Sequence, residues 1–169
     1  YFIPALDVVG DGFEKGKMFL PQLMASAQAV KNGFEAISET MGVTTPTKGK
    51  IILATVKGDI HDIGKNIVRM LLENYGFSVI DLGKDVKPET VVDAVIENDA
   101  AIVGLSALMT PTVPAMAETI TLLHSRVPHV KIVVGGAVLT REYAEKIGAD
   151  YYAKDAKMSA DIAKSVYGI

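Results

Sequence analysis

One histidine, His61, stands between two aspartates in the stretch Lys57-Gly-Asp-Ile-His-Asp-Ile-Gly-Lys-Asn66. An imidazole can serve as a base, a proton shuttle or a metal ligand. Asp59, two residues earlier, can accept a hydrogen bond from one ring nitrogen, which fixes the tautomer and raises the basicity of the other. Gly58 and Gly64 would let the backbone approach a bulky group. A conventional metal cluster is excluded, because zinc or non-haem iron needs three or four protein ligands. The chain has no cysteine. The other histidines, His124 and His129, fall at the end of a later helix and before a later strand, away from His61. A lone histidine suffices when a macrocycle supplies the remaining ligands. The competing reading is that His61 caps a helix beside Asp62, itself a good N-cap type. Residue chemistry alone leaves both open.

Other chemistries fit poorly. Gly58 to Gly64 followed by Lys65 is one residue too long for a phosphate loop, and Asn66 stands where Ser or Thr would hold magnesium. Two carboxylates would repel a phosphate there. A flavin-phosphate loop needs hydroxyls that this loop lacks. A phospho-acceptor domain needs an Asp at the end of the third strand, which instead ends in Gly104-Leu105-Ser106.

The elements that must position His61 follow from hydrophobic period. From residue 50 onward, β-branched runs (KIILATV, FSVIDLG, AAIVGLSAL, VKIVVGG, YYAKD) alternate with helical segments over 63–75, from Pro88, 114–125, 140–147 and 158–167. Such βα repetition predicts an α/β fold with a doubly wound parallel sheet, flavodoxin-like, of five strands in the order 2-1-3-4-5. In that topology ligands bind beyond the carboxyl ends of strands 1 and 3. KGDIHDIGKN, SALMTPT and GGA all fall at that edge. Residues 1–42 read as helical, with a short helix over 4–15 and a longer one whose Leu23, Ala27, Val30, Phe34 and Ile37 form one apolar face before Gly42. Residues 43–50 (VTTPTKGK) read as a linker, and 51–169 as the Rossmann-like domain.

GDIHDIGKNIV resembles the D-x-H-x-x-G signature of cobalamin-binding domains, as found in cobalamin-dependent methionine synthase and in the corrinoid proteins of methyltransferase systems. LSALMTPT and VVGGA resemble the loops after strands 3 and 4 of that family, and GKMFLPQLMASAQAVKNG resembles its helical cap. The resemblance implies that His61 is the lower axial ligand of cobalt, replacing the cofactor's own base, and that Asp59 hydrogen-bonds it. The relay's third member is a Ser in methionine synthase; Thr112 stands here, keeping the hydroxyl and adding a methyl. By the same resemblance Gly58, Ile60, Asp62, Ile63 and Gly64 surround the ligand, while Ser106, Leu108, Thr110, Gly135 and Gly136 line the slot for the displaced nucleotide tail. Phe19, Ser26 and Ala29 would lie towards the upper corrin face. The implied function is a methyl carrier using methylcobalamin or a related corrinoid. It would run between a donor such as methyltetrahydrofolate and a thiol such as homocysteine, with methionine synthase as the first expectation. Corrinoid proteins for methanol, methylamines or aryl methyl ethers, and a non-enzymatic cobalamin sensor, are the alternatives.

The chain has 169 residues, 49% hydrophobic and 22% charged, with a net charge of −3. That is a globular composition. Without clustered Lys and Arg, binding to nucleic acid is disfavoured. No apolar run approaches the ~18–20 residues of a membrane span. A cytoplasmic location is expected. Methyl-donor and methyl-acceptor sites are expected on other domains or subunits, which the resemblance implies are barrel proteins, along with a reactivation partner. The family cap has four helices and only its second half is evident here, so residues 1–42 would carry an exposed apolar face and could form a homodimer through it.

Overall fold

The computed structural model describes residues 5, 8–10, 12–13, 15–41 and 47–169. The chain divides into two compact units, Tyr1–Pro46 and Thr47–Ile169. In the first, residues 8–10 and 12–13 are helical and helix α1 runs Leu20–Met41. Leu23, Ala27 and Val30 are half-buried, whereas Ile37 is exposed. The Phe34 side chain, Gly42 and residues 43–46 of the expected linker lie outside the described residues. Val8 and Phe19 are each 72% exposed, so this unit shows apolar side chains to solvent.

The second unit is a parallel sheet of five strands: β1 (Lys50–Thr55), β2 (Ser78–Asp81), β3 (Ile102–Ser106), β4 (Lys131–Gly135) and β5 (Tyr151–Tyr152). Their order is 2-1-3-4-5, as the alternation of apolar runs and helices requires. The connecting helices are α2 (Ile63–Asn74), α3 (Pro88–Asn98), α4 (Val113–Arg126), α5 (Arg141–Lys146) and α6 (Ala156–Tyr167). Proline opens α3 and stands in the first turn of α4, where its missing N–H costs nothing. The strand YYAKD is shorter than its apolar run, with only Tyr151 and Tyr152 pairing to β4.

Alternation along each strand sends side chains to two cores. Ile52, Ala54, Val103 and Val134 meet α3 and α4 through Val92, Val95, Met116 and Ile120. Ile51, Leu53, Ile102 and Val133 meet α2 and α6 through Leu72, Ala160 and Ala163. Each fully buried Val, Leu, Ile or Met contributes roughly 1.5–3 kcal/mol, so the strands are fixed by both faces. Register then sets the functional edge. Thr55 pairs with Ser106, and Ser106 with Gly135, in one row at the carboxyl ends. Among the described helices none is long and apolar enough to cross a membrane.

Candidate functional site

β1 leaves the sheet through a tight turn in which the Asp59 N–H donates to the Val56 carbonyl at 3.0 Å. Its third residue, Gly58, has φ +84°, a conformation that only glycine adopts freely. The turn delivers Asp59 into the interior, fully buried, and leaves His61 at the surface with 44% of its side chain exposed.

Asp59 is saturated with donors. Oδ1 receives the His61 backbone N–H at 3.0 Å and stands 2.9 Å from His61 Nδ1. Oδ2 receives the N–H groups of Leu108 at 2.7 Å and Met109 at 3.2 Å, and the Thr112 hydroxyl at 3.0 Å. Burial alone would push this carboxyl's pKa up. The hydrogen bonds from the His61 and Leu108 N–H groups, the His61 ring and the Thr112 hydroxyl outweigh it and hold the group well below the usual carboxylate range. An ionised Asp59 can only accept, so Nδ1 carries the proton that faces it. The neutral imidazole therefore keeps its lone pair on Nε2. His61, Asp59 and Thr112 form one hydrogen-bonded chain. Thr112 also lies 2.8 Å from the Met109 carbonyl, so its single hydroxyl proton has two acceptors. The extra methyl of Thr112 is accommodated against Gly58, where a Cβ would stand 3.5 Å from it.

The helix-cap alternative finds no support in the geometry. Asp62 is the N-cap of α2, yet its side chain makes no capping bond, and the His61 ring faces Asp59.

A cleft of about 610 Å³ opens beside His61 and runs down the sheet face between α2 and α6. At its mouth are Ile60, His61, Asp62, Ile63 and Gly64, with Ser106 and Leu108 opposite. Gly135 and Gly136 border it from β4, and Leu53, Gly104 and Val133 form a row of its floor. Ile60, Ile63 and Leu108 are 61%, 77% and 42% exposed, an apolar collar on the surface around the imidazole. Gly64 has open space where its Cβ would be, which leaves the first turn of α2 clear.

Some expected residues stand elsewhere. Gly58 does not line the cleft; it is needed for the turn. Thr110 is exposed in the 3₁₀ turn Thr110–Thr112 and lies off the cleft, while Thr112 on the same turn is buried. In the helical unit, Phe19 is exposed and precedes α1, Ser26 donates its hydroxyl to the Gln22 carbonyl at 2.9 Å, and Ala29 is exposed. Sequence reasoning missed Gly104 and the cleft wall from α6. A lone glycine inside an apolar strand, and the small residues Ala156, Ser159 and Ala163 at helical spacing, were the available signals. His124 is occupied elsewhere, its Nε2 2.8 Å from the Gly148 carbonyl. Among the described residues no group of three His, Cys, Asp or Glu could hold a metal ion.

Gly136 has a sharper constraint than clearance of the cleft. Its φ is +142°, and a Cβ there would stand 1.8 Å from the Ala107 carbonyl oxygen. Gly136→Ala is expected to displace the Ala107–Met109 backbone and lower stability by about 1–3 kcal/mol, the cost of a glycine-only conformation. Urea unfolding measures the loss. An unchanged midpoint would show that the loop gives way freely.

A family model described as the B12 binding domain matches residues 49–160, and a second model of the same description matches residues 1–38. The chain belongs to the B12-binding family. Its cofactor is a cobalamin. The dimethylamine corrinoid protein 1 of Methanosarcina acetivorans is 42% identical over 95% of this chain and 78% of that protein. In a solved methanol:cobalamin methyltransferase complex from Methanosarcina barkeri, one chain is 33% identical with a TM-score of 0.89, over 99% of this chain and 65% of that one. A cobalamin-binding protein from Desulfitobacterium hafniense is 32% identical with a TM-score of 0.76, over 95% of this chain and 77% of that one. These relatives place the B12-binding chain among the corrinoid proteins of methyltransferase systems. The first two are named for dimethylamine and methanol systems, which corrects the first expectation: methionine synthase, and with it methionine biosynthesis, is not supported.

The residues present fit a base-off corrinoid. The half-exposed His61 ring lines the cleft, Asp59 sets its tautomer from Nδ1, and an apolar collar of Ile60, Ile63 and Leu108 lies at the same mouth.

Proposed function

We propose that this chain is the methyl-carrying module of a methylamine or methanol methyltransferase system. The carrying observation is the Asp59-oriented His61, with Nε2 free at the mouth of the cleft. Bound cobalamin would supply a cobalt centre able to accept and release a methyl group. His61 Nε2 would ligate that cobalt in place of the cofactor's own base. Asp59 holds the ring in its ligating tautomer and strengthens it as a donor. A proton held at His61 Nε2 would be balanced by the charge on Asp59, and the Thr112 hydroxyl stabilises that charge. The cleft beyond Ser106 and Gly135 would receive the nucleotide tail. Phe19, Ser26 and Ala29 keep their proposed role towards the upper ligand, and Thr110 its place near the tail.

Donor, acceptor and reactivation functions are proposed to lie on partner polypeptides. The dimethylamine and methanol names of the relatives favour a methylated amine or methanol as donor over methyltetrahydrofolate. The test loads the protein with a corrinoid, reduces it, and offers each donor with its candidate partner enzyme. A methylation-dependent change of visible spectrum with dimethylamine or methanol is expected. A change with methyltetrahydrofolate alone would restore the methionine synthase reading. Tight corrinoid binding with no methylation by any donor would favour a sensor.

A further inference from the structure

We infer that Asp85 is a positioning residue for the axial imidazole, gripping the main chain of the turn that presents Asp59 and His61. The inference rests on His61 being the cobalt ligand. Asp85 lies between β2 and α3, far from the histidine motif in sequence. Its Oδ1 accepts the Gly58 N–H at 2.7 Å, and its own N–H donates to the Asp59 carbonyl at 3.0 Å. One residue thus holds both members of the Gly58–Asp59 pair. Gly58 carries no side chain with which to anchor itself, so the grip must come from outside the turn.

The backbone at Asp85 is unusual. Its φ is +55°, and among the described residues only Asp99 also has a positive φ without being glycine. Asp99 is the C-cap of α3, a common place for that conformation. Asp85 ends no helix. Left-handed backbone is costly for an ordinary residue, and Asp and Asn tolerate it best after glycine. The conformation aims the N–H and the carboxylate of one residue at the same turn. The loop is itself anchored: the Thr55 N–H donates to the Gly83 carbonyl at 2.9 Å, the Val86 N–H to the Thr55 carbonyl at 3.1 Å, and Val56 bridges Val86. Asp59 is therefore clamped twice, at its carboxylate by the β3–α4 loop and at its main chain by Asp85. The carboxylate clamp fixes the His61 tautomer. The main-chain clamp fixes where the ring stands, and so keeps Nδ1 against the carboxylate that sets the tautomer.

Asp85→Asn and Asp85→Gly separate positioning from simple loop stability. Asn keeps the acceptor and tolerates the backbone. Glycine relaxes the backbone and deletes the acceptor. The expected result is near wild-type cobalamin affinity for Asp85→Asn, and an affinity about ten-fold weaker for Asp85→Gly, with part of its visible spectrum moved to the histidine-off form. In the cofactor-free protein, nitrogen-15 shifts of the His61 ring should report one tautomer for wild type and Asp85→Asn, and a mixture for Asp85→Gly. Melting temperatures of the two variants should be close. Wild-type affinity, spectrum and ring shifts in Asp85→Gly would overturn the inference. So would equal losses in both variants that follow a fall in melting temperature. A wild-type protein without a histidine-on spectrum would overturn the His61 reading itself, and this inference with it.

Discussion

His61→Gly is expected to lose the axial nitrogen and keep the fold. Almost half of the His61 side chain is exposed, so little burial is forfeited. The backbone N–H that reaches Asp59 Oδ1 survives the substitution, and Leu108, Met109 and Thr112 still hold Oδ2. Stability of the cofactor-free variant should stay within about 1 kcal/mol of wild type, the cost of an added glycine. Binding should change far more. Outer partners of a metal ligand are worth about 10–100-fold in affinity, and the ligand itself should be worth at least the upper end of that range. Bound methylcobalamin should show a histidine-off spectrum in the variant. Titration followed by visible absorption measures both effects, and an unchanged spectrum with unchanged affinity would remove His61 from the cobalt.

Asp81→Ala should cause the largest loss of stability, about 3–5 kcal/mol, because it strands a buried cation. The Lys65 side chain is 2% exposed and its ammonium is paired with Asp81, itself 12% exposed. Asp81 also accepts the Gly83 N–H at 2.9 Å, and Arg69 lies 3.5 Å from its second oxygen. Removing the carboxylate leaves the buried Lys65 ammonium to the neutral Asn66 side-chain oxygen at 3.3 Å, and Arg69 to Glu73 at 3.9 Å. Lys65 is in the first turn of α2, four residues after His61, and lines the cleft, so the site should loosen with the fold. In urea unfolding, adding Lys65→Met to Asp81→Leu should recover much of the loss, since an apolar pair of similar volume often replaces a buried ion pair without cost. A loss below about 1 kcal/mol in Asp81→Ala would mean that water reaches the pair.

The histidine motif and the sheet were legible because both are local signals. Apolar runs alternating with helical spacings dictate βα units, and right-handed crossovers leave few strand orders. Asp59 and His61 are two residues apart, so their pairing needed no knowledge of the rest of the chain. What escaped depends on residues distant in sequence. The Leu108 N–H reaches Asp59 across 49 residues, and Asp85 reaches Gly58 across 27. Neither anchor is visible until β1, β2 and β3 are aligned. Thr110 and Thr112 were both expected at the site, yet a 3₁₀ turn of three residues buries one and leaves the other exposed. Gly136 looked like clearance for a ligand, and the backbone of Ala107 gives it a stricter reason. Lys65 entered the sequence reading only in a phosphate-loop match that failed, and the end of β2 reveals its counter-ion.

Electron paramagnetic resonance of the protein loaded with cobalt(II) cobalamin tests the central claim most directly. A nitrogen on the lower axial position splits the cobalt lines into triplets when it is nitrogen-14 and into doublets when it is nitrogen-15. Protein made with nitrogen-15 histidine and loaded with unlabelled cobalamin should give doublets, because the proposed ligand is His61 Nε2. Triplets that persist would place the cofactor's own base on the cobalt, and unsplit lines would leave the position without nitrogen; either would contradict the assignment of His61.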